Sequence, residues 1–222
     1  MNTTLTNEVQ DVKKFFHGYA ADFDSIYGHS KSRGSFDKMM DKLFRKSMLL
    51  RFNETVQETS KPSVQTILDI GCGSGVYCVE FLKQGKTVTG LDMAEGMLKI
   101  AAEKTAAFKD PGKISFILSG YMEYEFNQKF DASVLMGFFD YIKEPVALIK
   151  KLQTDTTKEI YMSFPKKGGF LTWQRKVRYN MRHCPLYFYS KRSLIKILDE
   201  SGLENRYEIR DLGRDFFVKA TL

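Results

Sequence analysis

With 222 residues and a net charge of +7, the chain is long enough for one α/β domain with a modest extension. Its three cysteines are an odd number without metal-ligand spacing, which argues against a disulfide framework and a metal site and fits a reducing compartment. Residues 1–11 lack the apolar core of a secretory signal and no run approaches a membrane span, so we expect a soluble, cytoplasmic protein.

Two amphipathic helices are predicted before the first strand. Apolar residues recur at helical spacing from Val9 to Tyr27 and again from Ser35 to Thr59, where Ser35 is a plausible N-cap. We therefore expect residues 1–60 to form a helical cap on a main domain of residues 61–222.

Strands and helices then alternate along the main domain. The predicted strands are Val64–Ile70, Thr87–Leu91, Ile114–Leu118, Ala132–Met136, Ile160–Phe164, Arg206–Arg210 and Asp215–Thr221. The predicted helices are one ending at Phe81, then Glu95–Phe108, Pro145–Leu152 and Lys191–Ser201, the last capped by Ser190 and stopped by Gly202. This order predicts an α/β, Rossmann-like, doubly wound and mostly parallel seven-stranded sheet that ends in an antiparallel hairpin.

A glycine turn follows the first predicted strand. Gly71, Gly73 and Gly75 stand at alternate positions, whereas a dinucleotide turn needs G-x-G-x-x-G and this chain has Val76 at the sixth position. Asp69 precedes the turn, and an acid there suits a cationic or amino group better than a pyrophosphate. The pattern therefore favours S-adenosylmethionine, which carries an ammonium and a sulfonium, over NAD.

Asp92 supplies a second acid at the end of the next predicted strand. It lies 21 residues after Gly71, a position from which a carboxylate accepts hydrogen bonds from ribose hydroxyls. Taken alone, Asp92 has a purely structural alternative as the N-cap of the helix that begins at Glu95.

The segments Leu68–Gly75 and Gly90–Leu98 resemble motifs I and II of class I S-adenosylmethionine-dependent methyltransferases, and the resemblance extends over roughly residues 64–164. It implies that Met93 packs on adenine and that the Met122 backbone contacts it, whereas Tyr121 stands where the family usually has Asp. The full set of predicted cofactor contacts within this region is Asp69, Gly71, Cys72, Gly73, Asp92, Met93, Met97, Tyr121, Met122, Met136 and Gly137.

A narrower resemblance joins three short segments to magnesium-protoporphyrin O-methyltransferases: Ile26-Tyr27-Gly28, Ser163-Phe164-Pro165 and Phe216-Phe217. It implies that Tyr27 covers the cofactor. Tyr19 stands eight residues earlier, on the same face of the predicted helix, and we expect it to close over the cofactor as well. Asp140 stands where those enzymes have a catalytic histidine.

Methyl transfer is an in-line displacement, so positioning matters most and a general base is optional. Asp140, after the fourth strand, and His183 are the candidate catalytic residues. For Asp140 the alternative is an N-cap or a solvent-facing acid, and for His183 it is a surface or packed residue.

The positive charge is concentrated between Ile160 and Leu198. This segment holds nine of the 34 basic residues and none of the 27 acidic ones. It predicts an anion-binding insertion at about residues 165–190, with a solvated basic face as the alternative. The candidate acceptor contacts are Arg175, Arg178, Arg182, Tyr187 and Tyr189.

These patterns together predict O-methylation of a small anionic acceptor, such as a phosphorylated or nucleotide-linked sugar. The alternatives are a porphyrin or other carboxylate acceptor, an RNA methyltransferase, and a non-catalytic cofactor-binding partner subunit. We expect no nucleic-acid partner, because the chain has no separate RNA-binding module. Transient contact with an anionic membrane surface stays open if the acceptor is lipid-linked, and the sequence does not determine the oligomeric state.

Overall fold

The computed structural model describes residues 35–108, 110–168 and 186–222, so the predicted helix from Val9 to Tyr27 lies outside the described residues. The helices are α1 (Ser35–Thr59), α2 (Val76–Lys83), α3 (Glu95–Thr105), α4 (Pro145–Asp155) and α5 (Lys191–Glu200). The strands are β1 (Thr66–Ile70), β2 (Thr87–Asp92), β3 (Ile114–Leu118), β4 (Phe130–Leu135), β5 (Thr156–Pro165), β6 (Tyr207–Asp211) and β7 (Asp215–Thr221). Short 3-10 turns occupy Pro111–Lys113, Tyr121–Glu123 and Phe139–Tyr141. Across the described ranges, no helix combines the length and the apolar character needed to cross a membrane.

The seven strands form one sheet in the order β3-β2-β1-β4-β5-β7-β6. Strands β1 to β5 run parallel, whereas β7 is antiparallel to both β5 and β6. The predicted fold class is therefore confirmed. Chain order reverses between β1 and β4, and ligands of open α/β sheets bind beyond the carboxyl ends of the strands at such a point.

Apolar side chains cover both faces of this sheet. On one face Leu148 and Leu152 of α4 join Leu194 and Leu198 of α5 in a buried cluster. On the other face the buried set comes from α2 and α3, and Phe52 of α1 packs against it. Each large apolar side chain stabilises the fold by about 2 kcal/mol when it is removed from water. These two apolar layers therefore hold the sheet in place, and the loops at its edge can vary in sequence.

The first residues of β5 and β1 differ from the predicted boundaries: β5 begins earlier and β1 begins later. β5 begins at Thr156, four residues before the predicted start, because the backbone of this polar stretch still pairs with β4. Val64 lies outside β1, since its amide closes a turn onto the Lys61 carbonyl oxygen at 3.1 Å. The α5 cap matches the prediction: Ser190 Oγ accepts from the Ser193 amide at 3.1 Å.

Candidate functional site

The turn between β1 and α2 is tied to the end of β2. The amides of Gly71 and Cys72 donate to the Leu91 carbonyl oxygen at 2.8 and 3.1 Å. Gly71 has φ +70°, and a Cβ there would lie 2.6 Å from the Phe138 ring. Gly73 has φ +53°, and a Cβ there would meet nothing within 4 Å among the described residues. Gly71 is thus required by packing, whereas Gly73 faces open space above the turn.

The Asp92 carboxylate accepts hydrogen bonds from backbone amides beside this turn. Its Oδ2 accepts from the Gly73 amide at 2.9 Å and its Oδ1 from the Ala94 amide at 2.8 Å. Burial raises the pKa of this carboxyl, and these amides act in the opposite direction. The N-cap residue of α3 is Ala94, so the alternative role of Asp92 as that N-cap is excluded. Each carboxylate oxygen keeps further acceptor capacity for a ribose hydroxyl.

Asp69 lies beneath the turn and is almost completely buried, with 2% of its surface exposed. The Cys78 thiol donates to its Oδ2 at 3.2 Å. Burial raises the pKa of Asp69 to about 7, the charge of Asp92 adds to the rise, and the Cys78 hydrogen bond opposes it. Within the described ranges no lysine, arginine or histidine forms an ion pair with either acid. A cationic ligand over the turn would relieve this cost, so the residues present fit an ammonium-bearing cofactor.

Arg51 of α1 brings a cation to the same edge of the sheet, a position that the sequence pattern does not predict. Its Nη1 donates to Asp215 Oδ2 at 3.3 Å and to Ser163 Oγ at 3.5 Å. The guanidinium also lies 3.5 Å from where a Cβ on Gly137 would stand. Ser163 Oγ in turn accepts from the Gly137 amide at 2.7 Å. Because β7 runs antiparallel to β5, its first residue, Asp215, lies opposite Pro165 at the carboxyl end of β5.

A second polar group lies on the same face of α1. Ser47 precedes Arg51 by one helical turn, so the two side chains share a face. Ser47 is 5% exposed, and its Oγ has no hydrogen-bond partner among the described residues. A buried hydroxyl without a partner costs about 1 to 3 kcal/mol, which a ligand or water at this place would recover.

The other predicted cofactor residues divide into two groups. Met93 and Met136 are half-buried and Met122 is half exposed, so part of each side chain is open to a ligand. Met97 and Tyr121 instead point into the protein. Met97 is 1% exposed and packs with Ala94, since it lies on the inner face of α3.

The Tyr121 side chain requires a correction of the predicted cofactor contact. Its hydroxyl donates to Asp155 Oδ2 at 2.7 Å at the end of α4, inside the core. Burial and this carboxylate raise the pKa of Tyr121 far above its usual value. Its ring therefore anchors the loop after β3 and leaves only the backbone there for a cofactor.

On the acceptor side, Asp140 lies in the 3-10 turn after β4 and is 1% exposed. Both structural alternatives for this residue are wrong, because Glu144 is the N-cap of α4 and the Asp140 side chain does not face solvent. The Asp140 carbonyl oxygen accepts from the Tyr187 amide at 2.9 Å. Tyr187 is half-buried beside this turn.

Tyr189 is the second described member of the predicted acceptor set. Its hydroxyl donates to the carbonyl oxygens of Ile142 and Phe139 at 3.0 and 3.3 Å, in a buried position. The hydroxyl is thus engaged in fixing the loop after β4, which corrects its assignment as a direct acceptor contact. The remaining predicted site residues lie outside the described residues: Tyr19, Tyr27, Arg175, Arg178, Arg182 and His183.

Comparisons with known proteins relate the chain to methyltransferases. A family model described as a methyltransferase domain matches residues 67–154. The ubiquinone biosynthesis O-methyltransferase of Vibrio vulnificus (strain YJ016) is 30% identical over 146 residues, which cover 65% of this chain and 57% of that protein. The protein of the same name from Vibrio parahaemolyticus is 28% identical over 103 residues, covering 46% and 43%. The chain thus spans about half the length of these relatives.

Among solved structures, the magnesium protoporphyrin IX methyltransferase of Synechocystis PCC 6803 with bound SAH superposes with a TM-score of 0.74. The match covers 95% of this chain and 97% of that one, at 19% sequence identity. At this identity the likeness concerns the fold alone.

Proposed function

We propose that the chain, whose residues 67–154 match a family model described as a methyltransferase domain, is a class I S-adenosylmethionine-dependent methyltransferase that O-methylates a small anionic acceptor. The acceptor class is a phosphorylated or nucleotide-linked sugar or a similar metabolite. The observation that carries the proposal is that Asp69 and Asp92 meet at the glycine turn while Arg51 lies beside Gly137 at the same edge of the sheet. Two acids and one cation match a ligand that has an ammonium, a ribose diol and a carboxylate.

Three residues of the chain each bind a different group of the cofactor. When bound, S-adenosylmethionine supplies an electrophilic methyl group on its sulfonium. Asp92 accepts from ribose hydroxyls while it keeps the Gly73 amide in place. Asp69 balances an ammonium from below the turn, and Arg51 offers a guanidinium fork to a carboxylate over Gly137.

The acceptor class is supported by charge and by the position of the basic segment. The Lys167 amide donates to the Tyr189 carbonyl oxygen at 2.7 Å, and the Tyr189 amide donates to that of Pro165 at 2.8 Å. Both ends of the segment between them therefore emerge at the carboxyl edge of β5. An anionic oxygen is already nucleophilic, so its orientation contributes more to the rate than a base does.

A porphyrin or other carboxylate acceptor is the second candidate. It is favoured by the fold-level match to the magnesium protoporphyrin IX methyltransferase, which extends over 97% of that chain. Its propionates would also need cations. The presence of Asp140 where those enzymes have a histidine argues against it.

The test is a methyl-transfer assay with labelled S-adenosylmethionine and the full chain. Acceptor panels of sugar phosphates, nucleotide sugars, porphyrins, phenols and total RNA separate the candidate functions by which panel takes up label. We expect label in the sugar panels, with Asp92→Ala weakening cofactor affinity by about 1 to 3 kcal/mol. A folded protein that does not bind S-adenosylmethionine would overturn the whole proposal, and label in RNA alone would overturn the acceptor class.

A further inference from the structure

The buried ion pair between α1 and β7 joins two parts of the chain that are 164 residues apart in sequence. We propose that Asp215 and Ser163 are positioning residues that hold the Arg51 guanidinium over Gly137, where it meets the carboxylate of the cofactor. The inference rests on the proposed function. It assigns a role in cofactor binding to the C-terminal hairpin, which the methyltransferase-domain match at residues 67–154 does not include.

An arginine side chain needs such support if it is to act as a fixed donor. Its free rotamers cost about 2 kcal/mol to order, and this cost weakens any contact the side chain makes with a ligand. Here the Arg51 and Asp215 side chains are 11% and 8% exposed, so water screens their attraction only weakly. The ion pair therefore orders the guanidinium before a ligand arrives.

Ser163 sets the geometry on the other side of the guanidinium. Its Oγ accepts from the Gly137 amide at 2.7 Å and from Arg51 Nη1 at 3.5 Å. Gly137 has φ +74°, so the backbone there turns sharply and leaves no Cβ between the guanidinium and the loop after β4. One hydroxyl thus couples the position of that loop to the position of the cation.

Among the described residues, α1 has a second charge cluster that docks it on the sheet, so this ion pair is not its sole polar anchor. Two turns along the helix, about 10 Å away, Glu58 already binds Lys61, Lys219 and Arg210 at 2.5 to 3.3 Å. One turn before Arg51, the buried Ser47 hydroxyl lacks a partner among the described residues. A helix face that carries an unsatisfied hydroxyl next to an ordered guanidinium is suited to line a ligand-binding site.

The experiment compares two ligands that differ in one group. Isothermal calorimetry measures the affinities of S-adenosylmethionine and decarboxylated S-adenosylmethionine for the wild type, Asp215→Asn, Ser163→Ala and Arg51→Ala. We expect Asp215→Asn to weaken S-adenosylmethionine about tenfold and the decarboxylated ligand less than about twofold. In the Arg51→Ala background the Asp215→Asn substitution should cause no further loss of affinity, because both substitutions remove the same contact with the ligand. Asp215→Glu should restore part of the affinity.

A matched control is Asp131→Asn, an acid that pairs with Lys158 at 2.6 Å at the amino end of β4. It should lower the melting temperature and leave both affinities unchanged. Equal weakening of the two ligands in Asp215→Asn, or additive losses in the double variant, would overturn the positioning role. If the wild type binds neither ligand, the proposed function itself fails, and the two outcomes are thereby distinguished.

Discussion

Asp69 carries an ionisable carboxyl group inside the protein, and its neighbours decide the pH at which that group is charged. Its pKa of about 7 compares with an ordinary value of 3.8. In the ligand-free protein the stabilising contribution of neutral Asp69 is present below the ordinary pKa and is lost as the pH rises through about 7. An ammonium needs the ionised form, so we expect S-adenosylmethionine to bind more tightly as the pH rises to about 7 and then to level off.

Calorimetry at a series of pH values, in buffers of different ionisation heat, measures this dependence. Below the pKa, binding should release up to one proton from Asp69, and Asp69→Asn should remove both the proton release and the pH dependence. A flat affinity profile in the wild type would contradict the assignment of Asp69 as the partner of the ammonium.

Gly71 and Gly73 should respond differently to the same substitution. Gly71→Ala places a methyl group 2.6 Å from the Phe138 ring, so we expect a clear loss of thermal stability. Gly73→Ala meets nothing within 4 Å, and its positive φ costs only about 1 to 2 kcal/mol. Its methyl group would occupy the space over the turn, so cofactor affinity should fall further than stability. Thermal unfolding with and without S-adenosylhomocysteine measures both quantities, and an unchanged ligand-induced shift in Gly73→Ala would contradict the location of the cofactor.

Residues of the glycine turn could be predicted because their partners are local. Asp69 and Asp92 lie at the carboxyl ends of two adjacent strands, and sequence spacing alone places them at one edge. Arg51 could not be predicted in this way, because its partners Ser163 and Asp215 are 112 and 164 residues away in the sequence. Tyr189 is placed among the acceptor contacts by its sequence neighbourhood alone, because the sequence does not distinguish an exposed tyrosine from a buried one.

At the scale of elements, the C-terminal half of α1 is held by charges as well as by apolar packing. Glu58 is 11% exposed and lies between Lys61, Lys219 and Arg210. Despite burial, which acts to raise it, the pKa of Glu58 is lowered to about 2 by hydrogen bonds from these cations. Stability from this group is therefore present above the ordinary value of 4.5 and is lost as the pH falls toward about 2.

We expect Glu58→Gln to lower the free energy of unfolding by about 2 to 3 kcal/mol at neutral pH, because three cations lose their common partner. Urea unfolding at neutral pH and near pH 3 measures this loss, which should shrink at the lower pH. Glu80→Gln is the control, since Glu80 pairs with Lys83 on the exposed face of α2 and should cost less than about 1 kcal/mol. Equal losses in the two variants would show that the Glu58 cluster does not hold α1.

The order and type of the described elements followed from hydrophobic periodicity, whereas some boundaries did not. In β5 the residues Thr156 to Glu159 have no apolar pattern, yet the backbone pairs with Phe130 and Ala132 of β4. Pairing of this kind depends on the neighbouring strand and not on the residue's own side chain. The hairpin of β6 and β7 was predicted from a four-residue separation, because a turn of that length joins antiparallel strands.

For the molecule as a whole, the uneven distribution of charge leads to the last prediction. Nine basic residues and no acidic residue lie between Ile160 and Leu198, and the ends of this segment meet at the carboxyl edge of β5. Arg175 and Arg178 lie outside the described residues, so their role is predicted from sequence. We expect Arg175→Ala and Arg178→Ala to raise the acceptor KM while cofactor affinity stays nearly unchanged, because the cofactor turn has its own charges.

The kind of contact that the arginines make determines how the lysine variants behave and whether kcat changes. If a guanidinium binds the acceptor's anion through two hydrogen bonds, a lysine at the same position should restore only part of the activity lost in the alanine variant, since an ammonium is a point charge. If the contact strengthens in the transition state, kcat falls together with kcat/KM. Steady-state kinetics with the acceptor found by the panel assay separate these cases. Wild-type kinetics in both alanine variants would mean that the basic segment contacts only water. This outcome would contradict the anion-binding insertion and leave the methyltransferase-domain match of residues 67–154 unaffected.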